Sequence, residues 1–183
     1  MGENRRVAMA VDLQWPYKRH HEVFAGAHRY ALEHGGWKFI LDTYPELTLE
    51  SQRSNVPYDG IIGRVKPELS AAAESAGVPL VNVWHSSPVT GAPLVTPDFR
   101  EAGRMAAEHL LARGFERFAF IGAGREKSTN EQLAGFRARL RSEGCPCSVL
   151  KVSLNADSDA EHWLKFTARL DEWMDGWRCP MGV

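Results

Sequence analysis

Cysteine is scarce. The chain has 3 in 183 residues, an odd number with no C-x-x-C pair, so a disulfide framework is excluded. Cys145-Pro146-Cys147 has neither metal-ligand spacing nor a second half-site. Long apolar runs are missing as well: none approaches the ~20 residues of a membrane span. The stretch Val7 to Val11 is too short for a signal-peptide core and has no small-residue cleavage site after it. The expected compartment is the cytoplasm, and no membrane is expected among the partners. An excess of one charge is lacking too, since 22 Lys and Arg face 23 Asp and Glu, giving a net charge of −1. A bare nucleic-acid binder usually carries a basic surplus. With 44% hydrophobic and 25% charged residues, the chain is neither disordered nor collagen-like.

Signatures of chemistry are also wanting. Gly122-x-Gly124 sits in a strand-to-helix loop, but the third glycine of a dinucleotide fingerprint would fall on Lys127. Lys127-Ser128 lacks both glycines of a Walker A loop, because Glu126 and Ile121 occupy their places. His21-Glu22 does not complete H-E-x-x-H, since Ala25 stands at the last position. No G-x-S-x-G elbow exists, and no carboxylate pair stands out as acid and base. The chain therefore reads as a non-enzyme with no cofactor and no metal, the alternatives being a doubly wound α/β enzyme that binds a nucleotide or cofactor and a transport solute-binding protein. His20, His21, His28 and His34 read as solvated helix positions.

What is present is a rhythm. Val7-Ala8-Met9-Ala10-Val11 is a short, wholly apolar run, as suits a strand buried on both faces of a parallel sheet. A helix is predicted over 18–34, with Val23, Phe24, Ala27, Tyr30 and Ala31 at helical spacing and Gly35-Gly36 as its stop. Strands follow at 37–41, 59–63 and 78–83, with helices at 47–53 and 67–76. Residues 85–97 hold three prolines and a glycine and read as a crossover, with Leu94-Val95 as a short apolar piece. Asp98 caps a helix to about Arg113, with Ala102, Met105, Ala106, His109 and Leu110 as its apolar stripe. Strands at 118–121 and 149–152 enclose a helix at 129–142. A long amphipathic helix covers 159–175, where Trp163 and Trp173 read as packing residues, as does Trp37 in the second strand. Alternating strands and helices make a parallel α/β protein. The expected domains are 1–96 and 97–183. Pro180-Met181-Gly182-Val183 looks like the opening of another strand, which predicts that the second domain is truncated.

Open parallel sheets bind ligands beyond the carboxyl ends of their strands. That rule selects Asp12, Gln14, Trp15 and Tyr17 after the first strand, Arg64 after the third and Trp84 after the fourth. Flat rings that stack on C–H faces, together with planar polar groups that hold hydroxyls, are what sugar recognition needs. The same aromatics would equally serve to pack one lobe on the other.

Several landmarks, taken in order, resemble the effector-binding domain of lac/galactose repressor-type regulators. They are Arg6 to Val11, Gly26-Ala27-His28-Arg29-Tyr30-Ala31 with Gly36-Trp37, Asp59-Gly60-Ile61-Ile62, Gly77-Val78-Pro79, Asp98 with Ala106, His109-Leu110 and Gly114, and Phe118 to Gly122 with Leu133-Ala134-Gly135-Phe136. The chain looks most like xylose operon regulators, in which the sensor domain stands first. The resemblance implies a periplasmic-binding-protein-like (type I) fold of two doubly wound parallel-sheet lobes, with a small-molecule effector in the cleft between them. It also implies a homodimer that reads operator DNA through a separate domain, here expected beyond Val183 and of AraC-like type. The family's effector arginine falls on Gln132, which favours a neutral sugar over an acid. Arg125 is the candidate for the missing charge, and Asp98 completes the expected ligand set.

Overall fold

The computed structural model describes residues 4–14, 18–153 and 160–183. The chain divides into two compact units, Met1–Thr96 and Pro97–Val183.

In the first unit, β1 (Arg5–Ala10), β2 (Trp37–Leu41), β3 (Gly60–Gly63) and β4 (Leu80–Asn82) form one parallel sheet in the order β2-β1-β3-β4. Helices α1 (Lys18–His34), α2 (Pro45–Ser51) and α3 (Pro67–Ala76) connect them. β1 lies between β2 and β3, and Val7 through Val11, whose side chains alternate between the two faces, are all buried, so both faces are covered. Ala8 and Ala10 of β1 join Ile61, Leu49 of α2, Leu69 and Ala73 of α3, and Tyr58 in one core cluster. β1 and β3 approach so closely that a Cβ on Gly63 would lie 2.4 Å from the Ala10 Cβ. Prolines begin α2 and α3, where a missing N–H costs nothing, and Gly77 ends α3 in the left-handed conformation at φ 66°. Leu94 does more than cross over: it pairs in parallel with Asn82 and extends the sheet beyond β4.

Helix α1 departs from expectation in one respect. His20 is buried at 7% exposure rather than solvated. Its ring Nδ1–H donates to the Asp12 carbonyl at 2.7 Å, which satisfies it inside. Along the rest of the helix Val23, Phe24, Ala27 and Ala31 are half-buried and Tyr30 is exposed. Phe24 and Tyr30 meet rings of β2, Phe39 and Trp37, at 6.2 and 5.2 Å between centroids.

The second unit contains α4 (Phe99–Ala112), β5 (Phe118–Ala123), α5 (Lys127–Ser142), β6 (Cys147–Val152) and α6 (Ala160–Asp175). β5 and β6 pair in parallel. On the other side of β5, Gly182 pairs in parallel with Phe118, donating to the Arg117 carbonyl at 2.9 Å and accepting from Ala119 at 2.8 Å. Ala107, Phe118, Phe136 and Leu140 make the core. The apolar stripe of α4 is displaced from the expected one: Phe99, Gly103 and Ala107 are buried, whereas Ala102, Met105, Ala106 and His109 are exposed. The cause is a glycine crossing. A Cβ on Gly103 would lie 1.9 Å from the Gln132 carbonyl oxygen, and one on Gly135 would lie 1.9 Å from that of Arg100. Only backbone against backbone fits there, so the glycines choose the face and the larger apolar residues turn outward. Helix α6 buries none of its described side chains. Trp163, expected to pack, is 59% exposed and touches Phe166, while Trp173 donates its indole N–H to Ser148 at 2.7 Å.

Candidate functional site

In the first unit the chain leaves β1 toward β2 on one side and β3 on the other, a topological switch point at which the carboxyl ends open a crevice. The register places Ala10 beside Gly63 and Gly63 beside Asn82. The residues just beyond, Asp12, Arg64 and Trp84, therefore emerge at one end of the sheet.

Asp12 is exposed. Its Oδ1 accepts from the Gln14 N–H at 2.9 Å, a local turn, while its carbonyl takes the His20 bond. The buried histidine thus ties the start of α1 to the exit of β1 and fixes where Asp12 stands. Trp15 and Tyr17, also expected here, lie outside the described residues. Arg64 prolongs β3, its N–H donating to the Ala10 carbonyl at 3.0 Å. Its guanidinium carbon lies 4.4 Å from the centroid of the Trp84 ring. That cation–π stack holds a charge and a flat ring together at the strand ends. Arg64 and Trp84 are brought together, as are Asp12 and Gln14.

The residue that organises this pair was missed in the sequence. Asn82 is 3% exposed. Its Oδ1 accepts from the Val65 N–H at 3.3 Å and the Trp84 N–H at 2.9 Å, and its Nδ2 donates to the Trp84 carbonyl at 3.2 Å. An amide inside the apolar run Leu80 to Val83 was the available signal. Near it, Ser87 donates to the Val65 carbonyl at 2.6 Å and His85 Nδ1 meets Thr96 Oγ1 at 3.3 Å.

Asp42, just past β2, makes three hydrogen bonds within the unit. It accepts from Thr48 Oγ1 at 2.6 Å, the Tyr44 N–H at 2.9 Å and the Tyr58 hydroxyl. Burial pushes its carboxyl up, but these hydrogen bonds outweigh that and hold it below the usual range. Tyr58 is pushed up to about 12 by burial and by its hydrogen bond to Asp42. With Thr48 of α2, the pair ties the end of β2 to α2 and to the segment before β3.

Asp98, Arg125 and Gln132 belong to the second unit. Asp98 caps α4, its Oδ1 accepting from the Glu101 N–H at 2.9 Å, so one of the two oxygens expected for hydroxyls is already used. Arg125 is exposed in the loop after β5. Beside it Asn130 donates to the Gly124 and Glu126 carbonyls at 3.2 and 3.0 Å and accepts from Lys151 at 2.8 Å. Gln132 is half-buried, with its main chain against Gly103. An open groove of about 360 Å³ runs between α4 and α5, lined by residues including Asp98, Arg104, Gly135 and Arg139. Two of its arginines, Arg104 and Arg139, are paired with Glu101, Glu108 and Glu143. Among the described residues no cluster of three His, Cys, Asp or Glu is placed to hold a metal ion.

This architecture has known counterparts. The family described as periplasmic binding proteins and sugar binding domain of LacI family matches residues 18–165. The chain belongs to that family. Its fold is the type I periplasmic-binding-protein-like α/β fold with parallel sheets. A periplasmic ribose ABC transporter structure from Conexibacter woesei is similar at TM-score 0.67 and 20% identity, covering 92% of this chain and 60% of that one. A LacI family transcriptional regulator from Mycobacterium smegmatis gives 0.59 at 23% identity, covering 93% and 62%. A periplasmic binding protein/LacI transcriptional regulator from Alkaliphilus metalliredigens, complexed with D-xylulofuranose, gives 0.58 at 16%, covering 89% and 64%. By sequence, the HTH-type transcriptional regulator GntR of Pseudomonas aeruginosa is 40% identical over 72 residues, 39% of this chain and 21% of that protein. This chain thus spans about three fifths of the solved relatives and a fifth of the curated one. The family and these relatives are regulators and binding proteins. Among the described residues no helix is long and apolar enough to cross a membrane.

Proposed function

We propose that this chain is the effector-sensing part of a sugar-responsive transcription regulator, working in the cytoplasm by reversible binding without chemistry. The observation that carries the reading is the Arg64–Trp84 stack beside Asp12 at the switch point of the first sheet. A sugar offers C–H faces to a ring and hydroxyls to a carboxylate and a guanidinium, and this rim supplies all three. Gln14, Trp15 and Tyr17 extend the set in the first lobe, residues 1–96. Asp98, Arg125 and Gln132 add donors and acceptors from the second, residues 97–183. An amide at position 132 favours a neutral sugar, whose binding shifts the population of lobe arrangements and through it the operator affinity of a homodimer. The DNA reader belongs to a separate domain of the intact protein, of AraC-like type if the chain is a xylose-type regulator. The likeness to a ribose transporter structure supports a second reading, a solute-binding protein with the same pocket. The curated regulator relative favours the first.

Tryptophan-emission titration tests the ligand class. D-ribose, D-xylose and D-glucose are compared with D-gluconate as a charged control. A saturable response to a neutral sugar, weakened at least about tenfold by Trp84→Ala (~1.4 kcal/mol), supports the reading. A response to none, or one indifferent to Trp84, overturns it.

A further inference from the structure

We propose that Asn82 is a positioning residue for sugar recognition: it makes the Arg64–Trp84 stack a preformed element and couples it to the segment at 93–95. This inference rests on the sugar-binding reading of the same rim.

An amide at the end of a buried strand is costly unless its polar atoms are satisfied, and here backbone groups do so. The two bonds accepted by Oδ1 come from different loops, one following β3 at Val65 and one following β4 at Trp84. The donor bond returns to the Trp84 carbonyl. Both peptide groups of Trp84 are thereby held by one side chain. Val65, held by the same oxygen, is next to Arg64. The ring and the guanidinium are therefore carried on main chain that this one amide holds. The main chain of Asn82 adds a third segment: its N–H donates to the Pro93 carbonyl at 2.8 Å, and its carbonyl accepts from the Val95 N–H at 2.9 Å. A leucine would fill similar space and keep the main-chain bonds, but it would leave two N–H groups and a carbonyl without their partner. The ring then loses its fixed pose while the sheet is retained.

The test is 19F NMR of the chain labelled with 5-fluorotryptophan, which reports each of its 6 tryptophans. Trp84→Phe assigns the Trp84 resonance. In the unaltered protein, Arg64→Met should shift that resonance, because the ring loses its cation. In Asn82→Leu the Trp84 line should move or broaden and should no longer respond to Arg64→Met, while the Trp37, Trp163 and Trp173 lines stay in place. Asn82→Asp keeps the two acceptor bonds and should hold the line nearer its original position. In titration with whichever of D-ribose, D-xylose and D-glucose the unaltered protein binds, Asn82→Leu should weaken binding by tenfold or more, and adding Trp84→Phe to it should cost less than Trp84→Phe does alone. An unmoved Trp84 line in Asn82→Leu overturns the proposal. So does movement of all lines together in both Asn82 variants, which would make Asn82 a general packing residue. Absence of binding of D-ribose, D-xylose and D-glucose alike by the unaltered protein strikes the sugar reading, whereas absence of the 19F signature strikes this one.

Discussion

The two units use the same strand-and-helix rhythm but bury it differently. In the first, four strands pair in one sheet, and four consecutive residues of β1, with Val11 just after it, are buried. In the second, two strands and a bridge at Gly182 carry the sheet, and α6 buries none of its described side chains. The first unit is held by a sheet core and a buried polar tie, Asp42 with Tyr58 and Thr48. The second is held by a glycine crossing of two helices and a small aromatic cluster. Their polar rims differ accordingly. The ring and cation of the first are fixed by a buried amide, while Arg125 of the second stands exposed in its loop. The proposed recognition pair therefore lies in the unit with the larger paired sheet, which is where a preorganised site is cheapest to maintain.

The comparison breaks first at the glycines. Gly135→Val puts side-chain atoms on the Arg100 carbonyl, which cannot move without unwinding α4. It should destabilise the second unit by more than about 3 kcal/mol. Denaturant unfolding measures this, and hydrogen exchange should show protection of β1 retained while that of α5 collapses. Equal loss in both units would mean they fold as one block.

The buried tie of the first unit is the next lever. Tyr58→Phe removes one donor from Asp42 and should cost about 1–3 kcal/mol. Its pH signature has a definite sign. Tyr58 is raised in the folded chain, so its contribution is complete below the ordinary tyrosine value of 10.0 and is lost as pH rises toward about 12. Asp42 is lowered, so its contribution is present above the ordinary carboxylate value of 3.8 and disappears as pH falls through its folded value. Tyr58→Phe should flatten the alkaline limb of stability against pH, measured by thermal unfolding across that range.

The smallest effect belongs to α6. Trp163 is 59% exposed, so Trp163→Gln should change stability by no more than about 0.5 kcal/mol. A tryptophan of the packed kind, such as Trp37 between Tyr30 and Phe39, should cost several times more when replaced by alanine. Equal costs would show that α6 is packed after all.

Legibility in the sequence followed the same divide. Helices at Lys18–His34 and Pro67–Ala76 and the strand Trp37–Leu41 are read to the residue, because proline, paired glycines and apolar period all agree there. The stripe of α4 is read one face away. Its burial is decided by Gly103 against the Gln132 main chain and Gly135 against that of Arg100, and periodicity gives weight to large apolar residues rather than to glycines. His20 reads as solvated because a helix histidine looks polar from sequence, whereas its acceptor is a main-chain carbonyl eight residues back. At the rim, strand ends point to Asp12, Arg64 and Trp84, since topology alone puts them there. Asn82 escapes because its partners are peptide groups of other loops, which leave no side-chain pattern to read.

The central claim is that the strand-end rim of the first unit, and not the charged groove on α4 and α5, receives a neutral sugar. Amide and indole chemical-shift mapping of the isotope-labelled chain during titration with D-ribose, D-xylose and D-glucose decides it. The account predicts saturable shifts at Asp12, Gln14, Arg64 and the Trp84 indole for at least one of these sugars. Shifts confined to Arg104, Arg139 and their neighbours, or none at any concentration, would contradict it.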